Sequence, residues 1–175
     1  MRSTALALLV AGAVATACVP TPGPGASGAP NPASGDTTVQ GRLRAAGTGR
    51  MTWMVLEGDG GSFAMNGPMA GELANLQGAT VRVTGQLGPA PVPPPSKGIS
   101  VRDYTILSVG GEKPHVGVLA MRNGAWWLTG AETLQLTGIP ADFAMHAGDK
   151  VFVVGDIRDG TLSVRSYGVL RRGGA

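Results

Sequence analysis

Few side chains in this sequence have the types and spacing that chemistry requires. His146 lies between Asp142 and Asp149, and these three residues are the one local group of potential metal ligands. A metal site needs three or four ligands in a compatible geometry, and the other histidine, His115, is distant in the sequence. We therefore expect His146 to be an exposed histidine in a connecting segment, and we expect no metal site.

Catalytic and phosphate-binding patterns are not recognisable in the sequence either. A nucleophile triad needs a serine or cysteine beside a base that a third group orients. The 29 glycines include no glycine-rich run followed by Lys and Ser or Thr at the start of a helix, as a phosphate loop requires. We expect these glycines to serve turns and bulges, and we predict a protein that is not an enzyme and binds no cofactor.

Three tryptophans are the most informative side chains. Trp53 and Trp126 lie on predicted strands, and Trp127 follows Trp126 directly. Because successive side chains of a strand point to opposite faces, one member of the Trp126–Trp127 pair must lie outside the core. An exposed tryptophan can stack on a base or a sugar, or it can pack against another part of the chain. We take all three as candidate binding residues.

A proline-rich loop over residues 88–98 is the second candidate contact. Pro91, Pro93 and Pro94 are among its prolines. A polyproline segment is preformed, so it loses little entropy when it docks on an aromatic groove of another protein. A surface insertion without a function is the alternative, because lengthening a loop costs little free energy.

The N-terminus has the features of an export signal. Arg2 precedes an apolar run over residues 5–14, and small residues follow before Cys18, the only cysteine. That run is shorter than the about 20 residues that span a bilayer, so we do not expect an uncleaved anchor. The phrase Ala15-Thr16-Ala17-Cys18 resembles the lipobox of bacterial lipoproteins. The resemblance implies cleavage before Cys18 and acylation of that residue; a secretory signal cut after Ala17 is the alternative.

The segment that follows Cys18 is rich in Pro, Gly, Ala and Ser and carries no charge up to residue 35. Such a composition cannot form a packed core. We predict a signal peptide over residues 1–17 and a disordered, lipid-anchored tether over 18–36, long enough when extended to hold the folded part roughly 50 Å from the lipid. The chain is then an exported, membrane-anchored protein. Val19 stands where some lipoproteins have the Asp that retains them at the inner membrane. In a two-membrane bacterium this favours the outer membrane, facing the periplasm or the cell surface.

The rest of the chain is a duplication. Residues 148–157, Gly-Asp-Lys-Val-Phe-Val-Val-Gly-Asp-Ile, repeat residues 78–87, Gly-Ala-Thr-Val-Arg-Val-Thr-Gly-Gln-Leu. A second phrase over 99–107 returns over 162–170, and both copies contain Ser-Val-Arg followed one residue later by Tyr. Two matched phrases in the same order indicate repeated units. We predict two small domains, over residues 37–110 and 111–172.

Each unit is predicted to contain three strands, a short helical link and two further strands. Alternating apolar residues, helical spacing and Asn-Gly or Asp-Gly turns support this order. In the first unit the strands are predicted over 37–43, 51–56, 62–65, 80–87 and 99–109, with the link over 69–77. In the second they are predicted over 115–121, 125–129, 133–136, 150–157 and 161–170, with the link over 140–145.

This order of elements resembles the OB-fold, a five-stranded Greek-key barrel with a helix between its third and fourth strands. The resemblance covers residues 37–172 and is carried by the Gly-x-x-Val-x-Val-x-Gly and Val-Arg-x-Tyr phrases. It implies an all-β protein with two tandem OB-like barrels. An SH3-like barrel is the main alternative.

Exported bacterial proteins with OB-like domains mostly bind rather than catalyse. The two resemblances together imply a non-catalytic cell-envelope lipoprotein that acts as a binding or assembly module, with the membrane and an envelope protein as partners. The alternative is a binder of oligosaccharide or peptidoglycan fragments through a tryptophan-bearing barrel face. A formal net charge of +3 without a basic run argues against nucleic acid, because non-specific affinity comes largely from neutralising phosphates.

The predicted linker between the two units, residues 110–114, is too short for large independent motion. We therefore expect the units to pack together. We expect some of Trp53, Trp126, Trp127 and the proline loop to supply the contact.

Overall fold

The computed structural model describes residues 35–48 and 51–174, which all belong to one compact unit. The predicted signal peptide, Cys18 and nearly all of the predicted tether lie outside the described residues. Within the described ranges, no helix is long and apolar enough to cross a membrane.

The first sheet contains five strands and closes on itself. Its strand order is β1-β2-β3-β5-β4, and β4 pairs back to β1. The β3–β5 pair is parallel and the other pairs are antiparallel. The elements are β1 (Asp36–Thr48), β2 (Met51–Gly58), β3 (Gly61–Asn66), the helix α1 (Ala70–Leu73), β4 (Thr80–Pro89) and β5 (Lys97–Ser108).

The second sheet repeats this arrangement. Its strand order is β6-β7-β8-β10-β9, with β9 paired back to β6 and a parallel pair between β8 and β10. A short 3-10 helix, Ala141–His146, stands where α1 stands in the first sheet. The strands are β6 (His115–Arg122), β7 (Ala125–Gly130), β8 (Thr133–Thr137), β9 (Lys150–Arg158) and β10 (Thr161–Arg171).

The predicted all-β class is confirmed, and the largest differences from the sequence prediction concern the links. The link predicted over 69–77 contains one helical turn, Ala70–Leu73, and Gly71 within it disfavours a longer helix. The predicted loop over 88–98 is shorter, because β4 and β5 stay paired to Pro89 and Lys97. The amide of Ala90 then donates to the carbonyl of Ser96 at 2.9 Å. We call residues 90–96 the proline loop from here on.

The two tight turns of the second sheet form as predicted. Asn123 and Gly124 both have positive φ angles, of 51° and 75°, and Asp159 and Gly160 have φ angles of 50° and 76°. Two successive residues in the left-handed region are the mark of a type I′ turn, whose twist matches that of the flanking strands. These turns fix the registers of β6 with β7 and of β9 with β10.

Strand β9 is buried on both of its faces. Val151 and Val153 belong to the core of the second sheet, whereas Phe152 and Val154 belong to the cluster that fills the first sheet. The equivalent strand β4 buries Val81 and Val83 but exposes Arg82. Strands that are buried on both faces have continuous apolar sequences, and the run of four apolar residues over 151–154 follows this rule.

A pair of facing glycines occurs at the same place in both sheets. Gly41 faces Gly58 between β1 and β2, and Gly117 faces Gly130 between β6 and β7. A side-chain carbon on Gly41 or Gly130 would overlap the backbone of the facing strand, so only glycine permits this close approach. When the strand pairings of the two sheets are aligned on these glycine pairs, residues of the first sheet have equivalents in the second. The equivalent pairs used below are Val55 and Trp127, Ala64 and Gln135, and Arg82 and Phe152.

Candidate functional site

Trp127 lies on the outer face of the second sheet. Its neighbours on β7, Trp126 and Leu128, belong to the inner core or pack against it, and the Trp126 ring meets Phe143 edge-on with 6.2 Å between centroids. Because side chains alternate along a strand, Trp127 points away from that core. The prediction that Trp126 and Trp127 point to opposite faces is confirmed.

Polar side chains surround Trp127. It faces Ala120 on β6 and Gln135 on β8, and alternation puts Thr129 and Arg122 on the same side. The Arg122 guanidinium donates to the Thr129 hydroxyl over 3.4 Å. In the part of the chain that the structure describes, the side chains of Trp127 and Gln135 have no hydrogen-bond partner. We call these five residues the Trp127 face; it offers an aromatic ring with indole, amide and guanidinium donors.

The equivalent surface of the first sheet is covered. Val55 and Ala64 point outward by alternation, yet only 6% and 1% of their surfaces are exposed. Pro94 and Pro95 line the same cleft of about 360 Å³ as Val55. The proline loop therefore forms one wall of this cleft, next to the outer face of β2 at Val55.

The second sheet has no such cover because its last two strands are joined differently. The turn at Asp159 and Gly160 connects β9 to β10 directly. It is too short to fold back over β7 and β8. Trp127 and Gln135 are accordingly partly exposed, whereas Val55 and Ala64 are buried.

The proline loop covers its own sheet with only part of its length. Pro91, Pro93 and Pro94 are exposed, whereas Pro95 is partly buried. Of the predicted site residues on this loop, Pro94 reaches the cleft next to Val55. Packing of the loop against its own sheet was not predicted, because the sequence does not reveal which surface a loop contacts.

Trp53 belongs to a different surface. It lines a groove of about 460 Å³ together with Met54, Met65 and other residues of the first sheet and α1. A side-chain carbon on Gly47 would lie 2.7 Å from the Trp53 ring, so the ring packs where no side chain is present. Its indole nitrogen is buried and has no hydrogen-bond partner among the residues that the structure describes. The structure does not bring Trp53 together with Trp126 or Trp127 in a common cavity.

The two sheets are joined by a buried carboxylate. Glu72 on α1 is only 5% exposed. Its Oε2 accepts the Tyr104 hydroxyl at 2.5 Å and the Lys150 ammonium at 2.6 Å, and its Oε1 lies 3.3 Å from the Arg171 guanidinium. Lys150 and Arg171 belong to the second sheet, so the cluster bridges the duplicated units.

This cluster shifts the acidity of two of its members. Burial by itself would raise the pKa of Glu72, but hydrogen bonds from Lys150 and Tyr104 and the charges of Lys150 and Arg171 bring that pKa below its ordinary value. Burial and the neighbouring Glu72 carboxylate raise the pKa of Tyr104. The Tyr104 hydroxyl therefore stays protonated and serves as a donor.

Apolar residues complete the contact between the sheets. Phe152, Val154 and Leu170 belong to the cluster of the first core, and Val116 packs against it. The Phe152 ring lies over Gly168, the residue that faces it on β10. The prediction that the tryptophans and the proline loop supply this contact is wrong, because the outer face of β9 already provides the apolar surface.

His146 and its acidic neighbours hold the end of the chain. His146 Nδ1 lies 3.0 Å from Asp149 Oδ2, and Asp149 Oδ1 accepts the Gly173 amide at 2.7 Å. The hydrogen bond from the Gly173 amide lowers the pKa of Asp149, whereas burial raises it. The hydrogen bond and the charge of His146 lower this pKa further. Asp142 instead accepts the Tyr167 hydroxyl at 2.7 Å. The expectation of an exposed His146 is wrong, since 20% of its side chain is accessible.

Two further observations bear on what the chain does. Across residues 35–48 and 51–174, no group of three or more His, Cys, Asp or Glu side chains is placed to hold a metal ion. Comparison with protein-family models gave no match, and a search of curated proteins gave no significant similarity.

Proposed function

We propose that this chain is a non-catalytic binding module of two tandem OB-like barrels, held to a bacterial envelope membrane by a lipid on Cys18. The lipobox-like phrase supports the anchor and the uncharged segment after it supports a tether. The Trp127 face supports the binding role.

The OB-like assignment is supported by topology. In the first sheet the third and fifth strands pair in parallel, and α1 stands between the third and fourth strands. The second sheet has the same parallel pair and a helical link at the same place. Greek-key order with a link at this position favours the OB-fold over an SH3-like barrel.

The main support for a binding role is the partly exposed face of the second and third strands of the second barrel. OB-folds bind ligands on the face of their second and third strands, between the flanking loops. In the second barrel these strands are β7 and β8, and the face presents Trp127 and Gln135 with unpaired donors. In the first barrel Val55 and Ala64 of the same face are buried, and Pro94 and Pro95 line the cleft next to Val55. We therefore assign binding to the second barrel.

The charged groups that lie closest together support a non-catalytic role. Glu72 holds the two sheets together, and Asp149 holds Gly173 and His146. Each carboxylate is engaged in a contact that supports the fold.

The anchor is tested on the protein made in a bacterial host with radiolabelled fatty acid. We expect the wild-type chain to carry label and to sediment with membranes, and the Cys18→Ala variant to lose both properties. Labelled, membrane-bound Cys18→Ala protein would disprove the anchor.

The binding role is tested by photo-crosslinking in intact envelopes. A photoreactive side chain at position 135 should form adducts that disappear when Trp127→Ala is added. The matched control has the same group at Arg82, an exposed position on the outer face of β4. Equal adducts at both positions, or adducts indifferent to Trp127→Ala, would argue against a binding face here.

An oligosaccharide is the second candidate ligand, favoured by the combination of an aromatic ring with neighbouring donors. A sugar ring could stack on Trp127 while Gln135 and Arg122 bond its hydroxyls. Soluble peptidoglycan fragments should then quench tryptophan fluorescence saturably in wild type and not in Trp127→Ala.

A further inference from the structure

The molecule itself shows what kind of segment covers this type of face. Val55 and Ala64 of the first barrel occupy the positions of Trp127 and Gln135. Both are buried, and Val55 lines a cleft together with Pro94 and Pro95 of the proline loop. The second barrel has the equivalent face but lacks the loop. A proline-rich segment is therefore the occupant for which the fold gives direct precedent.

The proline loop and the Trp127 face are chemically complementary. Proline has no amide hydrogen, so a segment with four prolines between residues 91 and 95 offers mainly carbonyl acceptors. The Trp127 face offers donors: the indole N–H, the Gln135 amide and the Arg122 guanidinium. Proline rings also pack on aromatic rings at low entropic cost, because a polyproline segment is already extended.

The part of the loop that would dock is accessible. Pro91 and Pro93 are exposed, whereas Pro95 lines the cleft on the loop's own barrel. One loop can thus line the cleft on its own barrel with Pro94 and Pro95 and present Pro91 and Pro93 to another molecule. Loop residues 90–96 carry no charge, so no charge repulsion opposes an approach to Arg122.

We propose that the Trp127 face of one molecule binds the proline loop of a second copy of this chain. This rests on the proposed function, in which the Trp127 face is the binding face, and it names the partner. The loop belongs to the first barrel and the face to the second, so the contact is between two different surfaces. Such a contact leaves a free loop at one end of the pair and a free face at the other, and molecules anchored in one membrane can associate in rows.

The docking is first tested by NMR on the mature full chain in detergent micelles, with a synthetic peptide of residues 88–98. The chain has three tryptophans and hence three indole N–H signals, and Trp127→Phe identifies that of Trp127. The peptide should shift the Trp127 signal saturably and leave those of Trp53 and Trp126 in place. A peptide with Ala for Pro91 and Pro93 is the control and should bind at least about tenfold more weakly, because it loses the preformed extended backbone.

The association is then tested in cells that make two differently tagged copies. One copy carries Pro93→Cys and the other Gln135→Cys, and lipidation of Cys18 leaves these as the only free thiols. A mixed disulfide dimer should form, and adding Trp127→Ala to the second copy should reduce it several-fold while the thermal unfolding of that copy confirms that it is folded. Met145→Cys, at a 79% exposed side chain, replaces Gln135→Cys as the control and should give no mixed dimer.

The outcomes separate this proposal from the proposed function. Absence of both the Trp127 shift and the mixed dimer overturns docking of the loop. If peptidoglycan fragments shift the Trp127 signal where the peptide does not, the face is a saccharide site. If the peptide and the mixed dimer both give no signal but photo-crosslinking at position 135 still depends on Trp127, the Trp127 face binds a partner other than a second copy. If that crosslinking fails as well, the proposed function falls too.

Discussion

The ammonium nitrogen of Lys150 lies 2.6 Å from Oε2 of Glu72, a residue 78 positions earlier in the chain and in the other sheet. The same oxygen accepts the Tyr104 hydroxyl. Apolar contacts alone would allow the two sheets to shift relative to each other. A buried carboxylate is hydrogen-bonded only in the one arrangement that brings its donors within reach. We infer that this cluster fixes the arrangement in which the two sheets pack.

Replacing Glu72 by Gln should weaken this arrangement. The amide carries no charge to pair with Lys150 and Arg171, and if its oxygen takes the place of Oε2 its NH2 group faces the Arg171 guanidinium. We expect the free energy of unfolding to fall by about 1–3 kcal/mol. Urea denaturation followed by far-UV circular dichroism measures this change.

The matched control is Glu57→Gln. Glu57 pairs with Arg44 on the outer surface, where the two side chains are 44% and 64% exposed. Exposed ion pairs contribute less than about 1 kcal/mol. Equal losses in the two variants would show that burial of Glu72 does not add to its contribution.

Acidification should affect wild type more than Glu72→Gln. The pKa of Glu72 in the folded chain lies below its ordinary value of 4.5, so the unfolded chain takes up this proton first as the pH falls. The stabilisation is therefore complete above pH 4.5 and is lost as the pH falls from there through the folded pKa. Stability curves measured from pH 7 downward should converge below pH 4.5. Curves that stay parallel would contradict the assigned shift.

Phe152→Ala should destabilise the chain by about 3 kcal/mol, the order typical of a large aromatic side chain lost from a core. Arg82→Ala is the control, because Arg82 occupies the equivalent register position but is exposed. We expect that change to alter the free energy of unfolding by less than about 0.5 kcal/mol. Similar effects would mean that the outer face of β9 is not a true interface.

Gly168→Ala should be costly only in the presence of the Phe152 ring. A methyl group at this position would overlap that ring, and the ring cannot move without leaving the apolar contact. We expect a loss of about 1–3 kcal/mol in wild type, as for overpacked cores. In the Phe152→Ala background the same change should be nearly neutral, and a double-mutant cycle from urea denaturation gives the coupling. An equal cost in both backgrounds would point to backbone strain instead.

Both units should expose apolar surface when they are produced separately as residues 37–110 and 112–172. The second unit alone exposes Phe152, Val154 and Leu170, and the first unit exposes the part of its core against which they pack. We expect each unit alone to aggregate or to bind a hydrophobic dye more strongly than the joined chain does. Two independent melting transitions that reproduce the melting of the joined chain would refute a stabilising contact.

The sequence was sufficient to predict the strands, their order and the tight turns. Alternation and the Asn-Gly and Asp-Gly pairs are local signals, and the repeated phrases provided each strand with a second example. The extra length of β1 was missed, since Ala45, Ala46 and Gly47 look like a connection. In the structure these small residues remain paired with β2, and Trp53 packs over Gly47.

The site was less predictable because it depends on contacts distant in sequence. The alternation rule required one tryptophan of the Trp126–Trp127 pair to be outside but did not tell which. Glu72 gave no local signal, since its partners lie on β5, β9 and β10. The interface did leave one mark in the sequence: Phe152 and Val154 are apolar where the first copy has Arg82 and Thr84.

The double burial of β9 has a consequence for how the chain is made. Synthesis delivers the N-terminal unit first, and domains generally fold in that order. The apolar surface that receives Phe152 and Val154 is therefore assembled before those residues emerge. In a circular permutant that begins with the second unit, β9 would be synthesised before the first unit and would expose its outer apolar residues until the first unit is made. We therefore expect this permutant to aggregate and to be recovered from inclusion bodies, although it can form every native contact.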